Sequence, residues 1–107
     1  MTQLFRKEVY IESSAEKELA LFEKSVRKEF VSLILELRKY GTLKYPEGRK
    51  IVGYDLYEMR VKDDGIYRCM YSYLGQDIVI LTAFRKKTQK TPLREIEKAL
   101  KRKNRLI

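Results

Sequence analysis

The chain has 107 residues, with 24 Lys and Arg against 15 Asp and Glu for a formal net charge of +9; this suits one domain, residues 1–107, with a modest core and a polyanionic partner. One cysteine, Cys69, and no histidine exclude a disulfide framework, a Cys/His zinc site and histidine acid–base chemistry, and no metal or cofactor is expected. The N-terminus carries no apolar signal core and no segment reaches membrane-spanning length, so a soluble cytoplasmic protein with no membrane partner is expected.

Residues 4–12 alternate, with β-branched or aromatic side chains at Val9, Tyr10 and Ile11, which predicts a first strand ending at Ser13 and Ser14. Those serines are N-cap candidates for the helical region that follows. Over residues 15–40, Leu19, Phe22, Val26, Phe30, Leu33, Ile34 and Leu37 recur at three- and four-residue steps until Gly41 stops the run. The pattern fits one long helix or a helical hairpin broken near Lys24 and Ser25. Residues 41–53, with Pro46 and Gly48, read as a loop presenting Arg49 and Lys50. Strands are expected at 56–61, 66–74 and 77–84, joined by Asp63-Asp64-Gly65 and by Gly75-Gln76. Thr91 is the expected N-cap of a last helix with Pro92 at its first position and Leu93, Ile96, Ala99 and Leu100 as its apolar stripe. The order is that of an α+β fold: an N-terminal strand and helical hairpin packed on a twisted antiparallel sheet of about four strands, plus a C-terminal helix.

Charge is segregated along this order. Residues 85–107 carry ten Lys and Arg against Glu95 and Glu97, whereas residues 1–84 are nearly balanced. Cations gathered this way bind phosphate backbones without reading sequence, although a solvated basic tail would have the same composition. Turn chemistry adds a register. A three-residue loop ending in Gly65 pairs Lys62 with Ile66, which sets Arg60 opposite Arg68 and Glu58 opposite Met70. Like charges directly opposite destabilise a sheet, so Glu58 or an anionic ligand must compensate. The Gly75-Gln76 turn pairs Leu74 with Asp77, which predicts Ala83 opposite Arg68 and Arg85 on the same face. Tyr57, Met59, Val61, Tyr67, Cys69, Tyr71, Ile80 and Phe84 then form the opposite, apolar face.

The segment Leu56-Tyr57-Glu58-Met59-Arg60, the pair Tyr67-Arg68, the strand at 78–81, and the run Phe-Arg-Lys-Lys-Thr-Gln-Lys-Thr-Pro over residues 84–92 with Glu95-Ile96 resemble the RelE/ParE toxin superfamily. The likeness is strongest to its HigB-like, phage-derived members and spans nearly the whole chain. It implies the RelE-like fold and a toxin of a type II toxin-antitoxin pair. That toxin would act as a metal-independent endoribonuclease, an mRNA interferase that enters the ribosomal A site, cuts mRNA and inhibits translation. It also implies a cognate antitoxin, of the helix-turn-helix DNA-binding kind, with the 70S ribosome and mRNA as further partners. By the same resemblance Arg68 matches the arginine placed on the scissile phosphate, and Arg60 and Glu58 lie where RelE-type members place basic residues. Lys86 and Lys87 match the basic pair after the last strand. The chain lacks the histidine of several HigB-type members, and Leu93 stands near the C-terminal tyrosine position of RelE-type ones.

Cleavage of this kind is attack by a ribose 2′-OH on the adjacent phosphate. Arg68 and Arg60 could clamp nonbridging oxygens, Glu58 is the candidate general base, and Lys86 or Lys87 could neutralise the leaving oxygen. Arg49, Lys50, Arg85, Lys90, Lys98, Lys101 and Arg102 are candidate contacts to mRNA or ribosomal RNA. Two other functions fit the same fold: a ParE-like, non-catalytic toxin that binds DNA gyrase, and an inactive nucleic-acid-binding remnant.

Overall fold

The structure, a computed structural model, describes residues 8–86 and 91–107. Strand β1 (Val9–Ile11) leads directly into α1 (Ser13–Ala20); the portion of the expected strand before residue 8 lies outside the described residues. The N-cap of α1 is Glu12, whose carboxylate accepts from the Ser14 and Ala15 amides at 2.6 and 2.9 Å. It thereby takes the position expected of Ser13 or Ser14, since its longer acidic side chain reaches the same orphan amides and complements the helix dipole. The helical hairpin is the alternative realised: α2 (Lys24–Tyr40) follows α1 after a three-residue break. Gly41 ends α2 at φ 76°, donating its amide to Leu37 O at 2.7 Å, in a conformation that costs little only where there is no Cβ.

The remaining elements are β2 (Gly48–Lys50), β3 (Tyr57–Lys62), β4 (Ile66–Leu74), β5 (Asp77–Lys86) and α3 (Leu93–Leu106). The sheet has five strands in the order β1-β5-β4-β3-β2 and is mixed, with β1 parallel to β5 and the other pairs antiparallel. This corrects the expected antiparallel sheet of about four strands. The addition is β2, which Pro46 and Gly48 disguise as loop; a side chain at position 48 would collide with Leu43, so the bare backbone is what lets the chain turn in tightly here.

Two apolar clusters sandwich the sheet. On one face Ala15 and Leu19 of α1 and Val26, Phe30 and Leu37 of α2 bury Met59, Cys69, Tyr71, Ile78 and Ile80. On the other, Ile96 and Ala99 of α3 cover Ile51, Leu56, Met70, Val79 and Leu81. Each large side chain so buried contributes about 1.5–3 kcal/mol, which makes α3 part of the core and not an appended tail. The face opposite α1 and α2 is therefore only half charged, and Phe84 packs there with the α3 cluster, a correction to its expected place under α1 and α2.

The pairing of β3 with β4 follows the expected register, with Lys62 opposite Ile66, Arg60 opposite Arg68 and Glu58 opposite Met70. The pairing of β4 with β5 begins as expected at Leu74 and Asp77, then slips: Tyr71 pairs with Ile80 but Met70 with Thr82, leaving Leu81 as an extra residue. A bulge of one residue exchanges the faces of everything beyond it. Arg68 consequently lies opposite Phe84, Tyr67 opposite Arg85, and Ile66 opposite Lys86.

A candidate phosphodiester site on the sheet face

Three strands and the start of α3 meet at Glu58, which is only 1% exposed. Strand β2 places Arg49 directly opposite it, and Arg49 Nη2 donates to Glu58 Oε1 at 2.6 Å. Arg68 Nη1 donates to the same oxygen. Thr91, just before α3, donates its hydroxyl to Glu58 Oε2 at 3.2 Å. Thr91 is not the N-cap of α3: Pro92 holds that position, and among the described residues no side chain caps the helix. The threonine hydroxyl is turned to the site instead. Composition gives no warning of this, since a Thr-Pro pair reads the same whether its hydroxyl faces a helix or a carboxylate.

Among the described residues, four cations stand around that anchored carboxylate: Arg49, Arg60, Arg68 and Lys86. Arg68 is 3% exposed and Lys86 6% exposed. Burial lowers the pKa of Arg68, Glu58 opposes this, and Arg60 and Arg49 add to the lowering. Burial likewise lowers the pKa of Lys86, reinforced by Arg68 and, more weakly, by Arg49 and Arg60, against the pull of Glu58. Arg68 Nε is buried with no hydrogen-bond partner among the described residues, a condition that ordinarily costs about 1–3 kcal/mol or more for a charged group. Such a cluster, with a surplus of positive charge and an unpartnered donor, suits an anionic ligand.

The β-bulge decides which cation joins the cluster. Without the slip Arg85 would share the Arg68 face, as expected. With it Arg85 is exposed on the other face, over the Tyr67 ring at 5.5 Å and donating to Asp64 O at 2.9 Å, and Lys86 takes its place. Lys50 pairs with Tyr57, which puts its side chain on the opposite face from Arg49. Lys87 and Lys90 lie outside the described residues. Glu58, with donors on both oxygens, is built as an anchor for Arg49 and Arg68. A carboxylate so engaged and so buried has little access to a ribose hydroxyl, which weighs against the part of general base expected of it.

A second charged cluster lies where β1 stops pairing with β5 after Ile80 and leaves the β5 edge open. Glu18 of α1 accepts from the Ala83 amide at 3.2 Å, and Arg102 of α3 donates to Leu81 O at 2.8 Å. Arg102 also bonds both Glu18 oxygens, at 2.7 and 3.2 Å, and Lys98 bridges Glu18 and Glu95 at 3.0 and 3.1 Å. These side chains replace a missing strand and tie both helical layers to the sheet. The structure thus places Lys98 and Arg102 in ion pairs with Glu18, Lys98 staying partly exposed; Lys101 alone of the three is fully on the surface. Burial pushes the Glu18 pKa up, but hydrogen bonds from Arg102, Lys98 and the Ala83 amide outweigh it and hold the carboxyl below its usual value. Among the described residues no group of three or more His, Cys, Asp or Glu is placed to hold a metal ion, and no helix is long and apolar enough to cross a membrane.

Residues 17–104 match the family described as "Phage derived protein Gp49-like (DUF891)". The chain belongs to this phage-derived Gp49-like family. Its fold is that of RelE toxins. A mutant of the E. coli toxin RelE in the free state superposes with a TM-score of 0.72 at 16% identity, covering 92% of this chain and 98% of that one. The RelB-RelE antitoxin-toxin complex from Methanococcus jannaschii gives a TM-score of 0.62 at 22% identity, covering 78% of this chain and 99% of that one. The RelBE2 toxin-antitoxin complex from Mycobacterium tuberculosis gives 0.59 at 15% identity, covering 77% and 100%. Among curated proteins no significant match is found.

Proposed function

We propose that this Gp49-like protein is the toxin of a type II toxin-antitoxin pair and cuts mRNA on the ribosome. The observation that carries the reading is the cluster of Arg49, Arg60, Arg68 and Lys86 around a single anchored carboxylate, with Arg68 Nε left over as a donor. Family membership and the RelE fold support it. In this reaction the ribose 2′-oxygen forms a bond to the adjacent phosphorus and loses its proton to solvent. The bond from phosphorus to the 5′-oxygen breaks, leaving a cyclic phosphate and a 5′-hydroxyl. Arg68 and Arg60 stabilise the two negative charges that build on the nonbridging oxygens, which is most effective from fixed, partly buried donors. Glu58 holds Arg68 in place. Lys86, more acidic than an ordinary lysine, gives its proton to the leaving 5′-oxygen. The ribosome positions the codon, and exposed Lys101 with Arg105 contacts ribosomal RNA. An antitoxin encoded with the toxin covers the cationic face in the resting cytoplasm; two proteins of the same fold are named as toxins in complex with an antitoxin, which supports such a partner.

The test is 5′-end mapping of a reporter mRNA in a purified translation system, with wild type, Arg68→Ala, and a control without ribosomes. Cuts inside codons that require both ribosomes and Arg68 are expected. Intact mRNA at the full wild-type dose overturns the reading, and DNA damage in expressing cells would redirect it to gyrase.

A further inference from the structure

Helix α2 covers the sheet with Val26, Phe30 and Leu37 and turns its other side to solvent. At four-residue steps along that outer side stand Arg27, Val31, Leu35 and Lys39. Lys24, Lys28 and Arg38 fall within the same stripe, roughly 120° wide at 100° per residue. All of these residues are exposed, Val31 at 54% and Leu35 at 56%. Arg38 meets Glu8 at 3.6 Å, and Lys39 lies over the Tyr40 ring at 5.2 Å. Among the described residues Lys24, Arg27 and Lys28 have no ion-pair partner. The acids of the helix lie elsewhere: Glu29 lines the cleft between α2 and the end of β3, and Glu36 projects about 100° around the axis from Leu35. Glu23 precedes the helix without pairing with Arg27.

Helix stability does not account for this arrangement. Lys24 and Lys28 are like charges one turn apart, the first turn holds no acid, and the N-terminal end of the helix dipole repels cations. An acidic partner relieves all three costs. The two aliphatic side chains at the centre of the stripe decide its kind, because a phosphate backbone would engage the cations and bury nothing on Val31 and Leu35, and a second copy of the same face would be repelled. Arg27 to Lys39 spans about 18 Å, the length of a three- to four-turn helix, and apolar residues four apart with charges beyond them are what an amphipathic helix reads. We infer that the outer face of α2 docks an acidic amphipathic helix of a partner protein, whose apolar side chains cover Val31 and Leu35 while its carboxylates meet the surrounding cations. The inference rests on the toxin-antitoxin reading only in naming the antitoxin as the protein that carries this helix. Because α2 packs on the side of the sheet bearing Met59 and Cys69, and Glu58 lies opposite Met70 on the side covered by α3, such docking leaves the cationic cluster to a separate segment of the antitoxin.

The experiment titrates the purified protein with a synthetic helical peptide that carries two leucines four residues apart, bracketed by glutamates one turn further out at each end. Its control is an isomer of the same composition with the leucines moved to the opposite face. Backbone amide signals are followed by NMR and affinities by calorimetry. Shifts along residues 27–39, with the matched peptide binding about tenfold more tightly than its isomer, support the inference. A Val31→Gln, Leu35→Gln double variant, which keeps good helix formers at exposed positions, should erase that preference. Equal affinities for the two peptides in wild type, or shifts confined to α3 and the surroundings of Arg68 and Lys86, overturn it. Lys24→Gln with Lys28→Gln should weaken the matched peptide by about fivefold at low salt, and an unchanged affinity there overturns the choice of an acidic partner. A matched peptide that fails to bind where a short RNA duplex shifts the same amides gives the face to nucleic acid and also overturns the inference. Expression that leaves growth unaffected would remove the toxin-antitoxin reading, while the peptide titration decides the α2 face independently.

Discussion

The Glu58 and Glu18 clusters are built from the same residue types to opposite ends. At Glu18 the charges balance: two cations, Lys98 and Arg102, meet two carboxylates, Glu18 and Glu95, and the remaining donors close an open strand edge. At Glu58, among the described residues, four cations crowd one carboxylate and Arg68 Nε has no partner, and burial makes both Arg68 and Lys86 less willing to stay charged. A balanced network holds structure together; an unbalanced one is held in place by the rest of the fold and is relieved by a ligand. Charge density alone does not separate the two. The ratio of cations to carboxylates does, since Glu95 Oε2 also lacks a hydrogen bond among the described residues but has Lys98 at 3.1 Å as its counter-ion.

The contrast is sharpest in activity. Arg68→Ala should reduce ribosome-dependent cutting by roughly 100-fold or more, the order of magnitude for losing one fixed donor to a transition-state oxyanion, whereas Arg102→Ala should leave the cutting rate of folded protein within about twofold. Primer extension on the two variants at equal folded concentration checks this. Stability should reverse the order. Arg102→Ala leaves Glu18 and the Leu81 carbonyl without their main donor and should lower unfolding free energy by about 1–3 kcal/mol, read by urea denaturation.

The pH response distinguishes the clusters further. The folded-state pKa of Glu18 is below its unfolded value near 4.5. The unfolded chain therefore binds that proton more tightly, and the stabilisation present above 4.5 is lost as pH falls through the folded-state value. Glu18→Gln should flatten that acid limb. Lys86 has the opposite consequence for stability at neutral pH: its folded-state pKa lies below 10.5, so keeping it charged in the fold carries a cost that disappears as pH rises through the depressed value. Lys86→Met should raise stability by about 0.5–2 kcal/mol while slowing cleavage, and in wild type the cleavage rate should fall as pH rises and the acid is lost. A Lys86→Met protein less stable than wild type would break the comparison.

The smallest expected effect is at Thr91. Thr91→Val keeps the shape but removes the hydrogen bond to Glu58, worth about 1 kcal/mol, so a loss of about fivefold in cutting is expected, with recovery in Thr91→Ser. Cutting unchanged in the valine variant would show that the link between α3 and Glu58 does not position Arg68.

The legible parts of this molecule were those where one local signal decides geometry. Asp63-Asp64-Gly65 fixes the β3–β4 register and with it the facing arginines, and the stripe from Leu19 to Leu37 marks the helices that cover the sheet. The bulge at Leu81 was hidden because Val79, Ile80, Leu81 and Thr82 are all buried. With apolar demand on both faces there is no alternation to betray a slip, so the exchange of Arg85 for Lys86 could not be read. Strand β2 was hidden because three residues beginning with glycine carry almost no β signal. Thr91, Lys98 and Arg102 each depend on a carboxylate 33 to 84 residues away, a distance at which composition says nothing about pairing.

Those separations also set an order of events during synthesis. Strand β5, the helix that covers it, Thr91 and Arg102 are all made after the partners they need: β1 for β5, Glu18 for Arg102, and Glu58 for Thr91. Contacts so distant in sequence form late. The cationic cluster is therefore complete only after Lys86 and Thr91 have joined strands made well before them.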